Sequence, residues 1–409
     1  MRFIQHSGRA TRLLKLAALC AVPAAALAGG PTFVTSSGNA FVWDVSSNAI
    51  AYRTDGGNLS TGINNATAQA RVRTLFDVWQ DVPTSNIRYA RAGQIQAVTG
   101  FSDGDVNTAE EFDAVEGDCF DGNQSPIVFD VDGSMFEDLG QDPSVIGFAG
   151  PCAGNGAGKI VSGRAVMNGI FLDGIENANN PELTPAEFDA AFIHEFGHFS
   201  GLDHSQVNVN CLSGCGADDL AGLPTMFPFL MSSQQRTLAP DDVAWISFLY
   251  PQSGTGGFNA THGVIRGVVY FSDGQSHAQF VNVVARRVDD GDNEDRRFAG
   301  SSVSGYRFRL FHGNPITNAA PSSAGSDNPA HIGLYEIPVA AGSYTVEVES
   351  IDPEFVDGSR VGPGLVVPLP GDAPAPIGPF TVNAGQSSNG HDVVLIDTAP
   401  RYDDFETDP

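Results

Sequence analysis

His194-Glu-Phe-Gly-His-Phe-Ser-Gly-Leu-Asp-His204 reads as HExxHxxGxxH, with His194, Glu195, His198, Gly201 and His204 at the named positions. Three imidazoles and one carboxylate at this spacing can build a catalytic zinc site. His194 and His198 are four residues apart, so on a helix they share a face. Glu195 lies about 100° round from His194, within reach of a water at the metal without ligating it. Gly201 permits the left-handed turn that ends a helix, and the reversed chain carries His204 back to the same ion. Three protein ligands leave a fourth position open, which separates a catalytic zinc site from a closed structural one.

The helix that would carry the first two histidines is signalled on both sides. Thr184 suits the N-cap, Pro185 the first helical position, and Glu187 completes a capping box. Phe188, Phe192, Phe196 and Phe199 fall within roughly 80° of one another at 100° per residue and form a core stripe. His194 and His198 lie on a different side. The helix can bury one face and turn the other to a cleft.

At these residues the sequence resembles the metzincin metallopeptidases, and within them the matrixins. That resemblance implies a methionine in a tight turn beneath the metal. Pro224-Thr-Met-Phe-Pro228 lies some twenty residues past His204 and places Met226 in that role. Met231 is the competing candidate but lacks flanking prolines. Leu238-Ala-Pro-Asp-Asp-Val-Ala-Trp-Ile-Ser-Phe-Leu-Tyr250 resembles the C-terminal helix that closes a matrixin catalytic domain. Some relatives carry a tyrosine after the methionine turn; here that position is Phe227. A Pro-Arg-Cys-Gly cysteine-switch motif is absent from the sequence, so the resemblance is to bacterial-type members without that latch.

The chain has 409 residues and 42% hydrophobic content, enough for two globular units. Residues 1–28 read as a secretory signal peptide. Arg2, Arg9, Arg12 and Lys15 supply the charge, Leu16 to Leu27 is a short apolar run, and Ala26-Leu-Ala28 offers a cleavage site. Pro23 and the shortness of the run argue against a membrane span. Secretion to the extracellular space is the expected localisation, with periplasm or cell surface as variants. The formal net charge of −27 becomes −31 without that segment, which argues against nucleic acid and anionic membranes as partners. Beyond Cys20 four cysteines remain, Cys119, Cys152, Cys211 and Cys215. An even count in an exported chain implies disulfides. Of three possible pairings, Cys119–Cys152 with Cys211–Cys215 is favoured.

Residues 29–251 are expected to form an α+β metzincin domain, a twisted mixed sheet with the zinc helix and a C-terminal helix. Phe41-Val-Trp-Asp44 and Ala49-Ile-Ala-Tyr-Arg53 alternate as its first strand, and Asn86-Ile-Arg-Tyr-Ala90 as the second. Asn64 to Trp79 has helical spacing, with Ala70, Val72, Leu75, Phe76 and Trp79 as its core face. Ile127 to Gly133 reads as a third strand, and Arg164 to Leu172 as the last strand before the zinc helix. Val145-Ile-Gly-Phe-Ala149 falls where matrixins place the edge strand of the substrate cleft. A peptide could add to that edge through main-chain hydrogen bonds. Asp103-Gly-Asp-Val-Asn107 and Asp130-Val-Asp-Gly133, with Glu137 and Asp138 beyond, offer oxygen ligands at alternate positions, as calcium loops do. Solvated turns are the alternative in so acidic a chain.

Gln252 to His262 reads as a flexible linker. From residue 263 to 397 the pattern changes to short alternating strands, expected as an all-β sandwich. They are Gly263–Tyr270, Phe280–Arg286, two within Leu334–Glu349, Phe380–Val382 and Asp392–Ile396. The turn Val339-Ala-Ala-Gly-Ser-Tyr-Thr-Val346 resembles the transthyretin-like regulatory domains found beside carboxypeptidases. Residues 398–409 read as an acidic, disordered tail.

The function expected from these residues is a secreted zinc endopeptidase acting on polypeptides. His194, His198 and His204 are its metal ligands and Glu195 its general base. The alternative is a surface-binding or adhesion protein, its C-terminal unit gripping a cell or polymer and its peptidase fold weakly active or inactive.

Overall fold

A computed structural model describes residues 30–178, 180–288, 297–308, 325–349 and 373–396. The expected signal peptide and acidic tail lie outside them. The described residues form a mixed α/β structure with three sheets. No helix among the described residues is long and apolar enough to cross a membrane.

The first sheet is built from β1 (Val42–Trp43), β2 (Ile50–Thr54), β3 (Tyr89–Gln94), β4 (Pro126–Asp130), β5 (Gly147–Gly154) and β6 (Lys159–Asn168), in the order β1-β6-β4-β2-β3. These five strands are mutually parallel; β5 alone runs antiparallel, along β6. α1 (Asn65–Gln80) follows β2, α2 (Ala109–Phe120) precedes β4, and the short α3 (Ser134–Asp138) follows it. α4 (Pro185–Phe199) carries the histidines. α5 (Ala217–Ala221) is a single turn, and α6 (Pro240–Leu249) closes this part of the chain.

Burial explains where α1 sits. Asn64 caps it by accepting the Thr67 N–H, and Val72, Leu75, Phe76 and Trp79 are buried as expected. The fifth inward residue is Ala68, while Ala70 is exposed. Ala68 lies one turn before Val72 and therefore on the same stripe. Phe76 stacks on Phe196 of α4 at 3.9 Å between ring centroids, and the Trp79 indole N–H donates to the Ile193 carbonyl at 2.8 Å.

Several expected boundaries move. The second strand runs as Tyr89–Gln94 rather than from Asn86, and the buried Ile87 precedes it. The strand before α4 stops at Asn168. Gly169 to Leu172 form a 3-10 turn, capped by the Asn168 side chain accepting from Ile170. A Cβ on Gly169 would sit 1.7 Å from the Leu59 carbonyl oxygen, a backbone approach that only glycine allows. Residues 252–262 are not a free linker. Phe258–Thr261 form a helical turn, α7, and the buried Phe258 ring packs against Phe248 and stacks on His262.

The acidic runs serve the backbone. Asp130 accepts the Gly133 and Phe136 N–H groups at 3.0 and 2.9 Å, which starts α3. Asp103 accepts the Asp105 N–H, and Asn107 donates to the Asp105 carbonyl. Neither run gathers three carboxylates around a point, so the calcium expectation gains no support there.

C-terminal to α7, eight strands make two four-stranded sheets. β7 (His262–Tyr270) pairs antiparallel with β10 (Leu334–Ala340) and parallel with β13 (Ser387–Ser388) and β14 (Val393–Val394). β8 (Asn282–Arg287), β9 (Ala299–Val303), β11 (Gly342–Glu349) and β12 (Ile377–Val382) form the all-antiparallel order β12-β11-β8-β9. Inward residues of both sheets, among them Ile265, Val283, Ile337, Val346 and Val393, share one apolar cluster. Strand alternation places these side chains on one face of each sheet, from which the shared cluster is built.

Candidate metal centre

The site grows from α4. Thr184 Oγ1 accepts the Glu187 N–H, and the Glu187 carboxylate accepts the Thr184 N–H, so both ends of the capping box are made. Phe188, Phe192, Phe196 and Phe199 are fully buried on the core side. On the other side lie His194 and His198, and Glu195, the residue after His194, is buried with them.

The helix ends as Gly201 predicts. Gly201 has φ +89°, Leu202 N–H donates to Gly197 O at 3.0 Å, and Gly201 N–H to His198 O at 2.9 Å. This paired closure reverses the chain within two residues. The N-terminal segment pins the turn from outside, with Thr32 N–H donating to Gly201 O and Asp203 N–H to Gly30 O. The Tyr250 hydroxyl donates to Ser200 O at 2.6 Å. His204 then returns to face the helix.

The three Nε2 atoms converge. His198 and His204 Nε2 lie 3.0 Å apart, and His204 and His194 Nε2 3.2 Å apart. His194 Nδ1 is 2.8 Å from Thr225 O and His198 Nδ1 is 2.9 Å from Leu202 O. A carbonyl oxygen only accepts, so each of these Nδ1 atoms carries the proton and each Nε2 presents a lone pair inward. Burial holds the imidazoles neutral. It lowers His194 to about 3, with the neighbouring His198 charge adding to the effect. His198 falls to about 4, again through burial. Burial likewise places His204 well below the ordinary value. With His204 in the same tautomer as His194 and His198, all three Nε2 lone pairs are available to one cation between them. At the roughly 2.0–2.1 Å expected of zinc–imidazole bonds, nitrogens spaced this way subtend about 100° at the ion, close to tetrahedral. The spacing and chemistry of the three nitrogens therefore suit a metal ion such as zinc. Among the described residues these histidines form the one group of three or more His, Cys, Asp or Glu side chains that could hold a metal.

Met226 is buried in the turn below the histidines, and its position is fixed from two sides. Ser205 N–H donates to Met226 O at 2.8 Å. Asp242, on the first turn of α6, accepts the N–H groups of Thr225, Met226 and Ala239 at 2.8, 3.0 and 2.7 Å. The turn therefore aims the Thr225 carbonyl at His194. Sequence reasoning missed Asp242, which reads there as an ordinary first-turn acid after Pro240. Two adjacent buried acids on an otherwise largely apolar helix are unusual, but nothing local in the sequence names the turn that Asp242 holds.

Gly197 gives the methionine its room. A Cβ there would lie 2.2 Å from Met226 Sδ and 2.8 Å from Trp79 Cζ2. The indole cannot yield, because its N–H is held by Ile193 O. Gly197→Ala gains about 1 kcal/mol of helix propensity. Overpacking of this kind costs about 1–3 kcal/mol, so we expect a net loss seen in chemical denaturation. Unchanged stability would show that Met226 swings clear.

Both expected disulfides are formed. Cys119–Cys152 joins α2 to the edge strand β5, and Cys211–Cys215 closes a small loop between His204 and Met226. Comparison with known proteins finds no matching family model and no match among curated proteins.

Proposed function

We propose that this chain is a secreted zinc endopeptidase of the matrixin-like metzincin type. Its C-terminal sheets are read as a β-sandwich accessory unit. The observation that carries the reading is the convergence of three neutral Nε2 atoms, with a buried carboxylate at the next helical position after His194. His194, His198 and His204 would hold the ion. Zinc, when bound, would supply Lewis acidity toward a carbonyl oxygen and acidity to a water.

Everything else falls to the chain. Glu195 accepts the proton of the attacking water and returns it to the leaving amine, the task of a general base that turns acid. Thr225 and Leu202 carbonyls hold two imidazoles in the ligating tautomer and orientation. The edge strand β5 pairs with β6 along one side, which leaves its other side to receive an extended peptide as an added strand.

The test of the metal reading is titration with zinc against a chromophoric chelator. One ion per chain is expected, and none with His198→Ala. Its pH dependence follows from the depressed imidazoles. Proton competition begins only near pH 4, so affinity should change less than about twofold between pH 7 and 5.5. Three histidines at the ordinary pKa of about 6.5 would lose on the order of 10³ over that range. A loss of that size would show that the folded chain does not hold these imidazoles neutral.

A further inference from the structure

Four consecutive residues after His204 are each bound to the C-terminal sheets. The Ser205 hydroxyl lies 3.4 Å from the Ser301 hydroxyl of β9. Gln206 N–H donates to Ser301 Oγ at 3.2 Å, and the Gln206 carbonyl accepts from Asn282 Nδ2 of β8 at 3.0 Å. Val207 is buried against Val284 and Ala299. The Asn208 side-chain oxygen accepts from Arg286 Nη1 at 3.0 Å. Asn208 has φ +59°, an unusual conformation for a residue with a Cβ, and it is held there from both sides because its Nδ2 also donates to Asp219 O at 3.1 Å. Arg286 is itself buried and ion-paired with Glu347 and Glu349 on β11.

The strand that makes these bonds is fixed in turn by α6. Ser301 N–H donates to Asp241 Oδ1 at 2.9 Å, and the Trp245 indole N–H donates to the Ser301 carbonyl at 2.9 Å. The Asp241 carboxylate also takes a hydrogen bond from Ser205. Asp241 and Asp242 thus divide one task. Asp242 holds the turn whose carbonyl orients His194, and Asp241 holds the strand that grips the segment following His204.

We propose that the C-terminal sheets are the positioning scaffold of the third metal ligand, with Ser301 and Asn282 as positioning residues acting through Gln206. Unlike His194 and His198, His204 has no helix to place it. Its Nδ1 is buried without a hydrogen-bond partner, so its placement rests on the backbone on either side. The turn at Leu202 and Asp203 fixes one side, and β8 and β9 fix the other. This inference rests on the metal reading above.

The experiment compares zinc affinity in the full chain and in three variants. Ser301→Ala and Asn282→Ala each remove one bond to Gln206. Val339→Ala, a buried residue of β10 within the shared apolar cluster, weakens the sheets without touching residues 205–208. The second readout is hydrogen exchange of the peptide spanning 203–209 in the metal-free protein. Loss of an outer partner of a metal ligand costs about 10–100-fold in affinity. We expect that fall, with faster exchange, in Ser301→Ala and Asn282→Ala, and an affinity within about twofold of the parent in Val339→Ala. If Asn282→Ala does not fold, Ser301→Ala alone decides. Equal affinity in parent and both clamp variants overturns the proposal and leaves the metal reading standing. An equal fall in Val339→Ala overturns it as well, since general loosening would then suffice. A parent chain that binds no zinc overturns both.

Discussion

Replacing Glu195 with alanine is expected to lower peptide cleavage about 10²–10⁴-fold, the range associated with losing a positioned general acid–base. Zinc should stay bound, because the three Nε2 donors come from other residues. The buried position makes the expectation sharper. Glu195 is fully buried, so an alanine there leaves no other carboxylate among the described residues in its place beside the histidines. Glu195→Gln separates shape from charge. It keeps the volume and removes the base, and it should be as inactive as alanine. A glutamine variant with near-parental turnover would remove Glu195 from the proton path. Zinc lost together with activity would instead make Glu195 part of the metal's support.

The second large effect is expected at Asp242. Its carboxylate accepts three backbone N–H groups, from Thr225, Met226 and Ala239, and is itself buried. Burial raises its pKa to about 6 while the three amide donors pull it back. At pH 7 the ionised form therefore holds the turn. Asp242→Ala leaves three buried donors without an acceptor, each worth about 1–3 kcal/mol. The effects are not additive, and a total of about 3–5 kcal/mol is expected by chemical denaturation. Asp242→Asn should fall between, because an amide presents one acceptor oxygen where the carboxylate presents two. The loss should also reach the metal, since Thr225 O orients His194. A variant with parental stability and parental zinc affinity would contradict this account of the turn.

These two residues show how far the sequence carried. Glu195 was legible because its role follows from one helical offset. The capping box, the Phe stripe and the turn at Gly201 were legible for the same reason, being local patterns with one physical reading each, whereas Met226 was chosen over Met231 only through the resemblance. Both disulfides were expected as well, from an even count and a choice among three pairings. Asp242 was not legible, because its meaning depends on a turn sixteen residues earlier that no local pattern brings near. Ala70 was misplaced by two residues because alanine is small enough to sit on either face. The stretch from Gln252 to His262 read as linker from its glycines and serine, yet Phe258 finds a buried site against Phe248 and His262. The joining of residues 205–208 to β8 and β9 was out of reach altogether. It pairs positions 76 to 96 residues apart, through the side chains of Ser301, Asn282 and Arg286, and no local pattern ties those residues to the segment after His204.

The C-terminal sheets bind residues 205–208, directly after His204, and α6 holds the turn whose Thr225 carbonyl meets His194.

The most direct test of the peptidase reading is casein or gelatin cleavage by the purified chain, before and after stripping with 1,10-phenanthroline and again with zinc restored. The account predicts cleavage that is lost on stripping and recovered with zinc. A folded, zinc-loaded protein that cuts neither substrate, or one that cuts equally well in the chelator, would contradict it.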